Sequence, residues 1–425
     1  MKVMVLLVCS ILAVLQAPSI SRAQELPAAP AARLKDLLAE AEQNNPRIRA
    51  ARQQWKAAQQ VPSQVSTLPD PEVMFNQLSV GSPRPFAGYT NSEMAEVGLG
   101  ISQEIPYPGK LRLRGEIAGK EAEVWQERYE SVRRGVLEQV KADYFELSYL
   151  AAKLGILQAD QELLKPIEQS AEAHFRQGMG SEQDVLQAQL EQTRVLREIT
   201  ATQLQADTTQ AKLKQLLNRD PSAADIETAP LTQSGVGHTY AELLKAAQSN
   251  NPDLAGAQRM VQRQKLQVDL AHKDFLPDFE VQYMWARPDP FQYRARYQLS
   301  VGVKIPIYRT RRQKHELAEA ELEQESARSE RESESQQVAS ELKQEYVTAE
   351  QTAKLLKIYK EGLLPQARAE LQAGTASYAA AREDFQALLA SFVDVLTLDE
   401  QYWQTLAEHE TALASIEETT GLSLR

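Results

Sequence analysis

Two hydrophobic periods alternate along the chain. In the first, Val136, Val140, Asp143, Leu147, Leu150, Leu154 and Leu157 step by four and three, with a single polar member. Leu342, Tyr346, Ala349, Ala353 and Leu356 follow the same rule, as do Phe385, Leu388, Phe392, Val395, Asp399, Tyr402 and Leu406. A period of 3.5 predicts helices packed with a left-handed supercoil. The stretches free of Gly and Pro are long: 53 residues from Arg309 to Glu361, 46 from Thr375 to Thr420 and 40 from Ser181 to Asp220. Globular helices average about 11–12 residues, so these are coiled-coil lengths. Long helices are predicted over about 111–176, 182–219, 309–377 and 382–420. The Glu-rich run from Glu316 to Glu345 reads as the solvated face of one of them.

The second period is two. Tyr297, Leu299, Val301, Val303 and Ile305 alternate with Gln298, Ser300, Gly302 and Lys304, and Phe279, Val281, Tyr283 and Trp285 alternate with Glu280, Gln282, Met284 and Ala286. Val97, Leu99 and Ile101 alternate with Gly98, Gly100 and Ser102, and Val73 and Phe75 begin a weaker fourth case. Strands are predicted near 71–80, 95–105, 279–286 and 295–305. Their length suits a transmembrane β-strand of about 9–11 residues. Aromatics gather here too: eight of the chain's 27 fall between Phe275 and Tyr308, as in the girdles of membrane barrels. Four strands cannot close a barrel, because bilayer barrels need at least about eight. Open edges in lipid leave backbone groups unsatisfied, so several copies must share one barrel. Strand parity permits a dimer, a trimer or more. An eight-stranded barrel is filled by its own side chains, so an open conduit favours three or more. Gly81 to Met94 and Arg287 to Gln292 would cap the barrel outside, and Pro69, Pro71, Pro106, Pro108, Pro277 and Pro306 mark the strand ends.

The chain also repeats itself. Leu37-Leu38…Asn44-Asn45-Pro46 recurs as Leu243-Leu244…Asn250-Asn251-Pro252. Leu68 to Phe75 (LPDPEVMF) recurs as Leu276 to Tyr283 (LPDFEVQY), and Ile105-Pro106 as Ile305-Pro306. This predicts a first unit over 24–220, a linker at 221–237 rich in Pro, Ser, Thr and Gly, and a second unit over 238–425.

Composition adds compartment and exclusions. Residues 1–23 read as a signal peptide: Lys2, an apolar run from Val3 to Val14, and Ser21-Arg22-Ala23 as the cleavage site. The chain's one cysteine, Cys9, lies inside that run, so the mature protein would carry no thiol, as suits an oxidising compartment. A net charge of −11 argues against a nucleic-acid partner. His174, His238, His272, His315 and His409 are scattered, and no nucleophile–base pair stands out. Neither a catalytic site, a cofactor nor a metal site is expected. Gly115 to Glu121 (GEIAGKE) mimics a phosphate loop but is one residue short and ends on Glu. A soluble periplasmic coiled-coil scaffold is the competing reading.

These features together resemble the TolC-type outer-membrane efflux factors. The likeness rests on the NNP near the start of each half, LPDPE before the first strand, QEIPYPGKLRLR (Gln103 to Arg114) after the second and GMGSEQDVLQAQ (Gly178 to Gln189). The resemblance implies a mainly α chain with a membrane β-barrel: a homotrimer with one shared 12-stranded barrel in outer-membrane lipid and a coiled-coil α-helical barrel in the periplasm. It implies a periplasmic adaptor and an inner-membrane pump of the RND type as partners. The IPYPGK turn, LPDPE and Ala407 to Gly421 look most like the heavy-metal efflux branch, with an outer-membrane duct for drug efflux or type I protein secretion as the alternative. Adaptor-contacting aperture tips would then lie at Gln177, Gly178, Met179, Gly180 and Ser181, and at Ala381 and Arg382 once Tyr378 to Phe385 is aligned with Phe175 to Glu182. Gly374 is the other candidate for the second turn. The family's aspartate ring would fall on Ala387 and Ala390, leaving Asp184, Glu383 and Asp384 as candidate lumen carboxylates.

Overall fold

The structure is a computed structural model, and it describes residues 33–81, 84, 94–288, 294–380, 382 and 384–424. The segment read as a signal peptide, most of the two strand-connecting loops, Ala381 and Glu383 lie outside the described residues.

Three short helices, α1 (Leu34–Asn44), α2 (Pro46–Ala58) and α3 (Val61–Ser66), precede strands β1 (Glu72–Leu78) and β2 (Glu96–Ile105). Two long helices follow, α4 (Lys110–Arg176) and α5 (Glu182–Leu216). The chain continues with α6 (Tyr240–Asn250), α7 (Pro252–Lys273), β3 (Asp278–Pro288), β4 (Arg296–Lys304), α8 (Gln313–Ile358), α9 (Leu364–Ala379) and α10 (Phe385–Thr420). The 67 residues of α4 make a rod of roughly 100 Å at about 1.5 Å per residue.

The asparagine–proline pairs explain themselves in the fold. Asn45 caps α2, accepting from the N–H groups of Arg47 and Ile48, and Pro46 stands where its missing N–H costs nothing. Its amide also donates to the Leu216 carbonyl at the end of α5 (2.8 Å). Asn251 caps α7 in the same way and donates to the Thr419 carbonyl near the end of α10 (3.2 Å). Each short helix is thereby tied to the returning end of a long one.

Three departures from the expected helices have physical causes. The single helix expected over 309–377 is interrupted by a π turn at Tyr359–Leu363. Pro365 has no N–H, and its ring crowds the carbonyl four residues earlier; a wider turn relieves both. Gly374 lies buried inside α9, so the turn is not there. The expected linker at 221–237 is a strap clasped to the helices. Gln210 exchanges two hydrogen bonds with the Ile226 backbone (2.8 and 3.1 Å), and Ser148 donates to the Ala229 carbonyl (2.8 Å). Glu410 accepts from the Ser234 N–H (2.7 Å). Fully buried His409 contacts the Ser234 carbonyl through Nε2 (2.8 Å) and the Ala349 carbonyl through Nδ1 (3.1 Å).

The strands form one antiparallel sheet in the order β1-β2-β3-β4. The helical core falls into three zones: around Leu150 and Leu213 with Ile226 of the strap, around Leu243 and Leu413, and around Leu164, Phe385 and Phe392 at the far end.

Candidate functional site

Two regions carry chemistry. The first is the sheet, whose register aligns the side chains in rows. Val73, Ile101, Tyr283 and Leu299 are successive cross-strand neighbours, and so are Phe75, Leu99, Trp285 and Tyr297. Alternation places Val301, Val303 and Phe279 on the same face, and Leu299, Val301 and Tyr297 are all at least 65 % exposed. The opposite face carries Asn76, Gly100, Ser102, Glu280, Gln282, Gln298 and Ser300. There Ser102 donates to the Glu280 carboxylate (2.6 Å). A sheet apolar on an uncovered face and polar on the other matches a barrel wall between lipid and water. Among the described residues no helix is long and apolar enough to cross a membrane.

A clamp joins sheet to helix. Lys110, at the start of α4, is 3 % exposed and donates to both oxygens of Asp278 (2.9 and 3.1 Å) while pairing with Asp274 (3.1 Å). The Tyr107 N–H reaches the same Asp278 carboxylate (2.7 Å). This buried lysine, inside the IPYPGK motif, was missed as a structural residue; its signal is the motif's duplicated partner, LPD.

The second region is the pair of helical turns at the opposite end. Gly178 has φ +73°, a conformation that other residues adopt only at a cost. The N–H groups of Met179 and Gly180 both return to the His174 carbonyl (2.9 and 3.2 Å), closing α4. Ser181 then opens α5 with a capping box: its Oγ accepts from the Asp184 N–H (3.2 Å), and Asp184 Oδ2 accepts from the Ser181 N–H (2.9 Å). Asp184 is thus occupied by the helix start. Gln177, Gly178 and Met179 are exposed.

The second turn lies between α9 and α10, with Ala380, Arg382 and Asp384 its described residues. The Arg382 N–H donates to the Ser377 carbonyl (2.9 Å), and Asp384 precedes α10 without a side-chain cap. Arg382 and Asp384 are both exposed. Tyr378 brings the two turns together, its ring lying 4.9 Å from His174 and 5.6 Å from Phe385. Its hydroxyl is buried without a hydrogen-bond partner among the described residues. Burial, then the charges of Asp184 and Asp384, push the phenol above its usual range. Sequence reasoning did not single out Tyr378.

Farther along the helices burial holds several carboxyls above their usual range, Asp143 and Asp160 among them. Burial raises Asp143, the polar member of the α4 stripe, to about 6, and burial with the charge of Asp399 does the same to Asp160. Among the described residues no group of three His, Cys, Asp or Glu side chains is placed to hold a metal ion.

The outer membrane efflux protein family matches this sequence over residues 37–219 and again over 243–417. The chain belongs to that family. It is an outer-membrane efflux protein of the TolC type. Solved structures share the fold at low identity. The outer-membrane channel OprN is 17 % identical, with 92 % of this chain and 90 % of that one covered and a TM-score of 0.79. VceC from Vibrio cholerae is 16 % identical, with 92 % and 97 % covered and a TM-score of 0.78. CusC is 16 % identical, with 91 % of each covered and a TM-score of 0.77. No curated protein matches the chain.

Proposed function

We propose that this chain is the exit duct of a tripartite efflux system and that it conducts heavy-metal cations passively from periplasm to exterior. The observation that carries the duct is the four-stranded sheet with one apolar face, one polar face and two unpaired edges. Three copies would supply a 12-stranded barrel with a polar lumen, each chain entering as two copies of one unit. Leu186, Leu190, Leu196 and Leu204 stand exposed along α5, where neighbouring copies would cover them. Gln177 to Ser181 and the turn at Ala381 and Arg382 would meet the periplasmic adaptor, which couples the duct to an RND-type inner-membrane pump. Glu383 and Asp384 would line the aperture, where threefold symmetry gathers like charge and favours divalent cations. Support for metal cargo comes from the IPYPGK turn, LPDPE and the closing helix of α10.

Deletion of the gene, followed by a susceptibility panel of divalent metals, dyes and antibiotics, tests the reading. Sensitisation to metals, restored by the plasmid-borne gene, is the expected result. Sensitisation to drugs alone would overturn the cargo but keep the duct. Mature protein that washes off outer membranes in carbonate would overturn the duct itself.

A further inference from the structure

The two strand ladders of this chain are numerically equivalent. Glu72 pairs with Ser102 in the first ladder and Glu280 with Gly302 in the second, a shift of 208 for β1 to β3 and 200 for β2 to β4. The same shifts carry Val73 and Ile101 onto Val281 and Val301, and Phe75 and Leu99 onto Tyr283 and Leu299. The central ladder, β2 with β3, lacks such an equivalent inside the chain. Its image under the same shifts is β4 paired with β1, the two open edges of the sheet.

The surfaces at those edges look like the two halves of a separated junction. Where β2 ends and β3 begins, Pro106 and Lys110 are buried and Asp278 is held by Lys110 and the Tyr107 N–H. The corresponding segments at the open edges are bare: Leu68 is 47 % exposed, Ile307 73 % and Tyr308 68 %. Asp70, which corresponds to Asp278, is exposed and makes no ion pair among the described residues. Ile305 to Thr310 stands where the IPYPGK turn stands in the first half, with Thr310 in the place of Lys110 and Arg309, Arg311 and Arg312 on either side of it.

We infer that β4 of one copy pairs antiparallel with β1 of a neighbouring copy in a single register, with Lys304 opposite Glu72. This rests on the shared-barrel reading above. The central ladder sets the register: Glu104 opposite Glu280 becomes Lys304 opposite Glu72, and Gln103 opposite Val281 becomes Val303 opposite Val73. Every pair in this register keeps its face. Val303 with Val73 and Val301 with Phe75 lie toward lipid, and Ser300 with Asn76 lies toward the lumen. A slip of one residue would turn each apolar row inward. Charge agrees with the register. Within the chain Glu104 faces Glu280, like against like, whereas the seam sets a lysine against a glutamate. Among the described residues the one ion pair of Lys304 is a 3.9 Å contact with Glu104; the lysine stands across the ladder from Asp278, whose carboxylate is held by Lys110, and its side chain is 80 % exposed. At the foot of the seam, Asp70 of the neighbouring copy meets the Ile307 N–H as Asp278 meets that of Tyr107 within the chain; Thr310 replaces Lys110 there, and Arg309 and Arg311 beside it supply the positive charge.

Cysteine pairs test the register in outer membranes, because the only native cysteine is Cys9. After oxidation, Glu72→Cys with Lys304→Cys is expected to give a ladder of covalently joined copies on non-reducing gels. The slipped pair Met74→Cys with Lys304→Cys should give at most about a tenth as much, since its partners stand roughly 7 Å out of register. Equal or greater joining in the slipped pair, with the native-gel oligomer intact, overturns the register and leaves the shared barrel standing. Absence of any oligomer of the unsubstituted chain on native gels overturns both. A charge swap gives an independent reading. Glu72→Lys should lower the assembled fraction roughly two- to five-fold, and Lys304→Glu on that background should restore it. Failure of the second substitution to restore assembly overturns the Lys304–Glu72 pairing.

Discussion

The two helical turns at the end of the long helices do the same job with different means. The first is complete in itself: a glycine at positive φ, two N–H groups returned to one carbonyl, and a capping box from Ser181 and Asp184. The second has neither a glycine in its described positions nor a side-chain cap. It is held by Tyr378, which packs on His174 of the first hairpin and Phe385 of its own. One turn is specified by local chemistry, the other by its neighbour. The difference predicts that damage passes in one direction, from the first turn to the second.

The largest effect should come from breaking the contact between them. Tyr378→Ala empties a site in the cluster of Leu164, Ile167, Phe385, Leu388 and Phe392 and should cost about 3 kcal/mol. The second turn should then become cleavable by protease while the first stays resistant. Equal cleavage of both would break the comparison. Tyr378→Phe removes only a hydroxyl that has no partner, so it should keep or raise the melting temperature.

A smaller loss is expected from Gly178→Val. A β-branched residue at φ +73° costs about 2 kcal/mol, and no neighbouring atom lies within 4 Å of the added Cβ to complicate the reading. Export should fail, as read by metal susceptibility, while the oligomer on native gels is unchanged. Wild-type export with this substitution would remove the adaptor-contact role of the turn. Ser181→Ala, which deletes one arm of the capping box, should cost about 1 kcal/mol, read as a lower melting temperature with export retained.

What was legible in the sequence follows the same division. The first turn could be read because its residues, Gly178 and Gly180 with Ser181 and Asp184, fall within seven positions. The strands could be read because alternation is local, and the asparagine–proline pairs because a cap is local. The second turn was placed only by alignment, and Gly374 drew attention although it lies inside α9. The π turn before Pro365 was not foreseen, since a proline signals strain without saying how a helix relieves it. The strap over 221–237 reads as a linker in the sequence because its composition is loop-like. Its partners Ser148, Gln210, His409 and Glu410 are distant in sequence, and His409 passed as one of five scattered histidines.

The smallest effect extends the comparison to the helices above the turns. Asp160 on α4 is buried, its Oδ2 has no partner among the described residues, and the charge of Asp399 on α10 adds to the cost of ionising it. Asp399 has a partner of its own, Arg368 of α9 at 2.7 Å. With its carboxyl raised to about 6, folded Asp160 keeps a proton that the unfolded chain has released. Stability from this group is therefore present below the ordinary aspartate range and is lost as pH rises toward 6 and above. Wild-type protein should melt at a higher temperature at pH 5 than at pH 7, and Asp160→Asn should reduce that slope, leaving the share that Asp143 contributes. After allowance for solvent screening, the variant should gain about 1 kcal/mol at pH 7. An unchanged slope would mean that water reaches this carboxyl in the folded protein. Along the helices the second hairpin would then rest on the first through the pair of Lys153 with Glu400 and the apolar cluster around Leu157 and Phe392, with no part played by the two aspartates.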